Sequence, residues 1–228
     1  MLDEILTYRE MCNVENIQTL QRGMNFNINP KYSIILMSRR SNAPYRDKIL
    51  DDGLTLEYEG HDEARTSHTM NPKLLDQPAC TRNKRLTQNG LFVKAVEDCR
   101  KKKCAPELVK VYEKILPGIW SLKGFFDLIG YKIENDGKRN VFIFTLALSE
   151  QQGLRNQVIE FEHTRLIPSE VKKEVWKRDK GKCVKCGADK NLHFDHDLPF
   201  SLGGTSLTAK NIKLLCAKCN LSKSNKIE

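Results

Sequence analysis

Two pairs of cysteines near the C-terminus have the spacing of a metal site. Cys183 and Cys186 form one C-x2-C pair, and Cys216 and Cys219 form another. Each pair presents two thiolates at one edge of a tetrahedron, so together they complete the closed four-thiolate site that zinc prefers. Zinc binding would also stabilise a module of about sixty residues, which is too small for a deep core. The alternative is four free buried thiols, which the matched spacing disfavours.

A second group of residues, close to these cysteines, offers an imidazole, a carboxylate and two amides that are predicted to converge. A zinc ion closed by four thiolates has no open position, so catalysis must come from other side chains. Phe194-Asp195-His196 is predicted to end a strand, Asn211 to start the returning strand, and Asn220 to open a final helix. A neutral imidazole near pH 7 can take a proton from water. Oxygen donors such as the Asp195 carboxylate and the Asn220 amide suit Mg2+.

The segment from about Trp176 to Lys226 resembles the HNH, or ββα-metal, nucleases. The words D-H, P, G-G, N, C-x2-C-N and K occur in that family's order. The resemblance implies that His196 is the general base and that Asp195 and Asn220 hold one divalent cation, Mg2+ or Mn2+. It also implies that Asn211 pins the loop carrying His196. Asn220 stands where many members have a second His, although other members also carry Asn there.

The region from about Tyr32 to Leu148 is similar to SRA domains, the modules that flip methylated cytosine out of DNA. The matching stretches are YSIILMS, PYRDKILDDGLTLEYEG, DQPACTRNKRLTQNGLFVKAV and GIWSLKGFFDLIGYKIENDGKRNVFIFTLAL. By this resemblance, Tyr45 and Tyr58 clamp the flipped base and Asp47 accepts from the cytosine amino group. Glu59 belongs to the same pocket, at a position where the family often has Thr. The alternative is that both tyrosines are ordinary half-buried strand residues.

Four basic residues are candidates for contacts to the DNA backbone. Arg82, Lys84 and Arg85 lie in TRNKRL within the SRA-like region, and Lys223 lies one helical turn beyond Asn220. Lysine and arginine commonly position a protein on DNA through its phosphates. The alternatives are a solvated basic loop for the first three and an ordinary surface lysine for Lys223.

The elements that must position these groups can be predicted from the apolar pattern. Strands are predicted at YSIILMS and LTLEYEG, and again at GFFDLIGYKIE and RNVFIFTLAL, with the turn signal Asn135-Asp136-Gly137 between the last two. A helix is predicted at NGLFVKAVEDCRKKK, and another with Ser169 as its N-cap and its end at Gly181.

The predicted fold class is α+β. It combines an N-terminal, strand-rich, SRA-like barrel domain with a small C-terminal zinc-stapled ββα-metal domain. The predicted boundaries are 1–150 for the reader, 151–168 for a linker and 169–228 for the nuclease domain.

The composition fits a folded protein with an anionic partner. The chain has 228 residues, of which 39% are hydrophobic, and a formal net charge of +9. Most of the excess charge lies after residue 165, and nucleic acid is the commonest partner for such a surface. No apolar run is long enough to span a membrane, and MLDEILTYRE is acidic where a signal peptide would be basic. We therefore expect a cytoplasmic protein with reduced thiols.

These patterns together predict a modification-dependent DNA endonuclease. An SRA-like reader of 5-methylcytosine or 5-hydroxymethylcytosine would be fused to an HNH cutter, as in restriction enzymes that defend bacteria against modified phage DNA. One alternative is a sequence-specific or nicking HNH nuclease that reads unmodified bases. The other is a non-catalytic, zinc-stabilised DNA-binding protein, which the intact Asp195, His196 and Asn220 set argues against.

The chain carries one candidate catalytic set, and one such set can cut one strand per binding event. A double-strand break therefore needs two sites, and we predict a homodimer, or a dimer formed on DNA, with two-fold symmetry. The expected contact lies in the front domain or in the stretch 149–167, where FEHTRLI offers a small apolar patch.

Overall fold

The computed structural model describes residues 4–20, 23–40, 43–63, 71–149, 167–198 and 208–223. The G-G pair of the HNH-like segment, Gly203-Gly204, is predicted to form a turn, and it lies outside these ranges. Almost all of the stretch 149–167, one of the two places expected for a dimer contact, also lies outside them. None of the helices in the described ranges combines the length and the apolar character needed to cross a bilayer.

The described residues form two compact units, each built from separate pieces of the chain. The terminal unit comprises described residues within 1–19, 112–124 and 150–228, and the central unit comprises those within 20–111 and 125–149. Two long strands contribute residues to both units.

The strands and helices follow one another in a mixed order. The strands are β1 (Ile5–Thr7), β2 (Met24–Asn29), β3 (Tyr32–Met37), β4 (Lys48–Ile49), β5 (Thr55–Glu59), β6 (Glu107–Leu116), β7 (Ile119–Asn135), β8 (Asn140–Leu148), β9 (Leu192–His196) and β10 (Ile212–Cys216). The α-helices are α1 (Tyr8–Val14), α2 (Gln88–Arg100), α3 (Ser169–Arg178) and α4 (Ala217–Lys223). Short 3₁₀ helices occur at Pro72–Leu74 and Ala209–Asn211.

Most described strands join one sheet. Its order is β2-β3-β6-β7-β8-β5-β4, and β1 pairs with β7 outside this path. In the central unit, β5 pairs antiparallel with β8, and the Phe92 ring of α2 packs edge-on against Phe144 of β8 at 5.6 Å between centroids. The strand-rich α+β architecture predicted from the sequence is confirmed.

A smaller sheet and a compact core characterise the terminal unit. β9 and β10 pair antiparallel, with Asp195 opposite Lys213 and His196 opposite Ile212. Apolar residues from β1, α3, β9 and β10 bury one another, and the fully buried ones include Ile167, Val175, Ile212 and Leu214. This core contains Ile5 from the beginning of the chain, so distant sequence segments support the small sheet.

Two details differ from the sequence-based expectations. Pro168, rather than Ser169, is the N-cap of α3, and Ser169 is already the first helical residue. Its hydroxyl donates to the buried carboxylate of Glu113 instead of capping the helix. The strand β6 was not predicted at all, because its charged positions hide the apolar alternation.

Those charged positions belong to a buried ionic cluster in the terminal unit. Glu113, Lys123 and Lys172 are each completely buried. The Lys123 ammonium lies 2.9 Å from the Glu113 carboxylate, and Lys172 donates to the Ser121 hydroxyl at 2.8 Å. Burial alone would raise the pKa of Glu113, but the charges of Lys123 and Lys172 outweigh it and lower that pKa to about 2. The cluster therefore ties α3 to β6 and β7 through buried charges of opposite sign.

We expect Glu113→Gln to lower the free energy of unfolding by about 3–5 kcal/mol at pH 7, because it leaves two buried lysines without their counter-ion. The folded-state pKa of Glu113 lies below its ordinary value of 4.5. Its stabilisation is therefore present above pH 4.5 and lost as the pH falls towards about 2. Urea unfolding at several pH values should show the two proteins converging over that range. Glu170→Gln is the matched control, because Glu170 is 79% exposed in its ion pair with Lys173 and should cost less than about 1 kcal/mol.

Candidate functional site

The four predicted zinc ligands lie together. The Sγ atoms of Cys183, Cys186, Cys216 and Cys219 are all within 4.8 Å of one another, and those of Cys186 and Cys216 are 3.6 Å apart. A tetrahedral ion with Zn–S bonds of about 2.3 Å would hold its sulfurs about 3.8 Å apart. The cluster therefore has the dimensions of a closed four-thiolate metal site.

Backbone geometry prepares the first cysteine pair for a cation. The Gly187 N–H donates to the Cys183 carbonyl at 2.8 Å, and the turn needs the positive φ of 76° that Gly187 adopts. Although burial raises it, hydrogen bonds from the backbone N–H groups of Cys216, Cys186 and Lys185 lower the pKa of the Cys183 thiol to about 6. The thiolate is the form that binds metal, so these bonds favour Cys183 as a ligand. In the same pair, a backbone hydrogen bond from Ala188 lowers the pKa of Cys186, but the side chains of Cys183 and Cys216 outweigh it and raise that pKa.

The candidate catalytic residues lie where β9, β10 and α4 meet. Asp195 and His196 end β9, and α4 packs against both β9 and β10. The side-chain amide of Asn211 accepts from the Leu198 N–H at 2.8 Å and donates to the Leu198 carbonyl at 3.0 Å. Asn211 thus clamps the backbone two residues after His196.

Lys223 faces this site from α4. Its Nζ lies 2.6 Å from Asp195 Oδ2, and it also donates to the His196 carbonyl. Asn220 is three residues earlier on α4, so it lies on the same side of the helix as Lys223. The surroundings of the Asp195 carboxylate therefore accept a positive charge, and the donor set of carboxylate and amide oxygens fits a hard divalent cation. The predicted contact between Lys223 and a DNA phosphate stays a prediction.

An Arg–Asp pair that the sequence analysis did not single out holds β10 in place. Arg178 donates to the carbonyls of Ala209 and Ile212 at 2.6 and 2.7 Å. Asp179 pairs with Arg178 and accepts from the Leu214 N–H at 3.0 Å. The end of α3 thereby fixes the strand opposite Asp195 and His196. Only the adjacency of the two charges in VWKRDKG hinted at this role.

In the central unit, the predicted base-reading residues lie near the end of β5 and just before β4, the strand that pairs with β5. Tyr58 is buried, whereas Tyr45 and Asp47 are half-buried. The N–H of Ser38 donates to Asp47 Oδ2 at 2.9 Å, and that of Glu59 donates to Asp47 Oδ1 at 3.2 Å. These two bonds orient the Asp47 carboxylate.

Both tyrosines keep their protons over the ordinary pH range. Burial, and then the charge of Asp62, raises the pKa of Tyr45 to about 12. Burial, and then the charge of Asp47, raises the pKa of Tyr58 well above its ordinary value. Each hydroxyl is therefore available as a hydrogen-bond donor.

Glu59 is engaged in a buried network of charges. It is 3% exposed, and its carboxylate accepts from the Arg46 backbone and side chain at 3.0 and 3.1 Å. Arg139, 2% exposed, lies 3.6 Å from Glu59 and 2.5 Å from Asp62. Glu59 therefore helps to fix the segment that carries Tyr45 and Asp47, and its predicted contact with a base stays a prediction.

The sequence analysis missed His61, which lies beside the two tyrosines. Its ring stacks on Tyr45, with centroids 5.7 Å apart and planes 20° apart. Its Nε2 lies 3.3 Å from the Tyr58 hydroxyl. The available signal was its position directly after EYEG, the stretch already assigned to the pocket.

The basic residues of TRNKRL form a tight exposed loop. Arg82, Lys84 and Arg85 are all exposed. They lie between Cys80 and Leu86, which an isolated β-bridge joins. Their side chains are open to solvent, and their predicted contact with DNA stays a prediction.

Comparisons with known proteins match this description. Residues 183–226 match the family model of HNH endonucleases. No curated protein matches the sequence.

Several solved structures are similar to the chain at low identity. The SRA domain of SUVH5 in a complex with hemi-methylated CG DNA is 19% identical, with 67% of this chain and 90% of that one covered and a TM-score of 0.44. The modification-dependent TagI restriction endonuclease is 17% identical, with 96% of this chain and 75% of that one covered and a TM-score of 0.42. Arabidopsis thaliana SUVH6 in complex with SAM is 18% identical, with 84% of this chain and 30% of that one covered and a TM-score of 0.44. The C-terminal segment thus matches the HNH endonuclease family over residues 183–226.

Proposed function

We propose that this chain is a modification-dependent DNA endonuclease whose HNH domain hydrolyses phosphodiester bonds. The observation that carries the proposal is the arrangement around Asp195 and His196. Both end β9, α4 packs against them, and the segment matches HNH endonucleases. In this proposal, the cysteine cluster holds a structural zinc ion and takes no part in catalysis.

Each residue of the proposed nuclease site has a distinct role. The His196 imidazole takes the proton of the attacking water. Asp195 and Asn220 supply oxygen ligands for Mg2+ or Mn2+, which when bound stabilises the negative charge that develops on the phosphate oxygens. Asn211 keeps His196 in position through its two bonds to Leu198.

Lys223 must change its partner during this cycle. Its ammonium contacts Asp195 Oδ2 at 2.6 Å, and a divalent cation on Asp195 would repel it. The Lys223 ammonium, in the last turn of α4, could then contact a DNA phosphate.

The activity is tested by incubating the full chain with matched duplexes that carry cytosine, 5-methylcytosine or 5-hydroxymethylcytosine. We expect cleavage only with added Mg2+ or Mn2+ and preferentially of a modified duplex. Equal cleavage of all three duplexes would favour an HNH nuclease that reads unmodified DNA. Binding without cleavage under all metal conditions would favour a non-catalytic DNA-binding protein.

The proposed reader is the pocket of Tyr45, Asp47 and Tyr58 in the central unit. Flipping a base costs a few kcal/mol, which stacking and edge hydrogen bonds must offset. The two tyrosine rings can stack on a base, and the oriented Asp47 carboxylate can accept from the cytosine amino group. The neutral state of both tyrosines keeps the walls of the pocket free of additional negative charge.

We expect Asp47→Ala or Tyr58→Ala to abolish the preference for modified DNA while leaving weak nicking of any duplex. Loss of one hydrogen bond or one stacking ring corresponds to about 1–3 kcal/mol, or roughly 5- to 150-fold in affinity for the modified duplex. Binding is measured by fluorescence anisotropy on modified and unmodified duplexes. Asp51→Ala is the control, because Asp51 is an exposed carboxylate on the same segment. Unchanged discrimination in both pocket variants would contradict the assignment.

We also propose that the enzyme cuts both strands as a homodimer, or as a dimer formed on DNA. One His196 site can process one strand per binding event, so a two-fold arrangement would present one site to each strand. Sedimentation with and without a modified duplex measures the stoichiometry. A strictly monomeric species that makes double-strand breaks at a rate linear in enzyme concentration would contradict the dimer.

A further inference from the structure

His61 lies beyond the end of β5, and the side chain of a buried asparagine holds its backbone in place. Its backbone N–H donates to the Asn89 side chain at 2.8 Å, and its carbonyl accepts from the same side chain at 2.8 Å. Asn89 lies at the start of α2 and is 1% exposed. The oxygen and the nitrogen of this buried side-chain amide thus both form hydrogen bonds with the backbone of His61.

The ring of His61 contacts both tyrosines of the proposed pocket. It stacks on Tyr45 at 5.7 Å between centroids, and its Nε2 shares a hydrogen bond of 3.3 Å with the Tyr58 hydroxyl. Any base that enters against these two rings must therefore contact the imidazole or displace it.

Gly23 lies next to the Tyr58 hydroxyl and the Nε2 atom of His61. A Cβ atom there would lie 2.6 Å from the Tyr58 hydroxyl and 2.8 Å from His61 Nε2, which is closer than such contacts allow. The hydroxyl and the imidazole nitrogen therefore occupy the space that a side chain would otherwise fill. The space beside Gly23 is therefore filled by two polar atoms.

The Tyr58–His61 hydrogen bond has a consequence for the kind of base that fits. Tyr58 is 2% exposed, so a ligand that separates the pair without replacing the bond costs the buried Tyr58 hydroxyl its hydrogen bond to His61. A methyl group at the 5-position of cytosine has no hydrogen-bond donor or acceptor. It could separate Tyr58 from His61, but it could not replace their hydrogen bond. A hydroxymethyl group carries one O–H donor and an oxygen acceptor, and can bridge the tyrosine oxygen and the imidazole nitrogen.

We propose that His61 is a specificity-determining residue of the base pocket and favours cytosine with a hydroxymethyl group over cytosine with a methyl group at the 5-position. This inference rests on the proposed function, and it names the modification that the proposed pocket prefers. His61 and Tyr58 supply the two polar contacts, Tyr45 supplies the stacking surface, and Asn89 keeps His61 in place.

The test compares the wild-type chain with His61→Phe and His61→Gln. Phenylalanine keeps a flat ring on Tyr45 and removes the polar nitrogen, whereas glutamine keeps a polar group and removes the ring. Binding to duplexes with cytosine, 5-methylcytosine or 5-hydroxymethylcytosine is measured by anisotropy without added Mg2+ or Mn2+. Thermal unfolding of each variant verifies that it is folded.

We expect the wild type to bind the hydroxymethylated duplex at least about fivefold more tightly than the methylated one. His61→Phe should reduce this ratio to about one, and His61→Gln should keep part of it. A wild-type ratio of one, or a ratio that survives His61→Phe, would overturn the role of His61 alone. Equal binding of all three duplexes by the wild type would contradict the proposed function itself.

Discussion

His196→Ala is expected to lower the rate of DNA cleavage by about 10²–10⁴-fold while leaving the affinity for DNA unchanged. The imidazole is the only proposed acceptor for the proton of the attacking water, and loss of a positioned general base typically costs this much. His196 lies at the end of β9 with an intermediate exposure, so its truncation leaves no large cavity. The rate is measured with saturating Mg2+ on a modified duplex, under single-turnover conditions.

Two controls separate catalysis from folding in this experiment. Lys218→Ala changes an exposed residue on α4 and should cleave at the wild-type rate. The zinc content and the unfolding temperature of His196→Ala should equal those of the wild type. Wild-type turnover by His196→Ala would remove the general-base assignment.

Cys219→Ser is expected to abolish stable metal binding and to unfold the part of the terminal unit around β9 and β10. Binding of a structural zinc contributes on the order of 10 kcal/mol in small zinc-dependent modules. Here the apolar core of the unit supplies a further share of the stability. We therefore expect a large loss of the free energy of unfolding, accompanied by loss of cleavage. Metal analysis should find one zinc per wild-type chain and substoichiometric zinc in the variant.

The chain provides a matched control for the cysteine experiment. Cys80 is exposed and does not belong to the four-cysteine cluster. Cys80→Ser should therefore keep one zinc per chain, the wild-type unfolding temperature and full cleavage. Fully active wild-type protein without zinc would contradict the structural role of the cluster.

The metal cluster and the candidate nuclease residues could be predicted because their signals are local. The two C-x2-C pairs specify ligand type and spacing within a few residues, and the structure brings all four sulfurs together. The segment around Asp195, His196, Asn211 and Asn220 is similarly compact in sequence. The sequence therefore carries enough information to anticipate which residues meet, although the contact between Lys223 and Asp195 emerged only from the structure.

Contacts between distant segments could not be predicted in this way. Glu113 and Lys123 look like solvent-facing strand positions, because nothing local indicates that each finds an opposite charge in the interior. The same cluster takes the hydroxyl of Ser169 away from the capping role that its position suggested. His61 escaped notice because its importance depends on Asn89, 28 residues further along the chain.

The first residues of the chain contribute to the core of the terminal unit, and this limits how the unit can be moved into another protein. Ile5 packs into the same apolar core as β9 and β10, and Glu4 forms a β-bridge with His193. The charge of Lys172 on α3 is opposed by that of Glu113 on β6. A fragment that begins at α3 would expose an apolar surface and lack Glu113, whose charge opposes that of the buried Lys172. A chimera that moves the HNH-like segment onto another protein must therefore also carry the beginning of the chain and residues 112–124, which include the end of β6 and the beginning of β7.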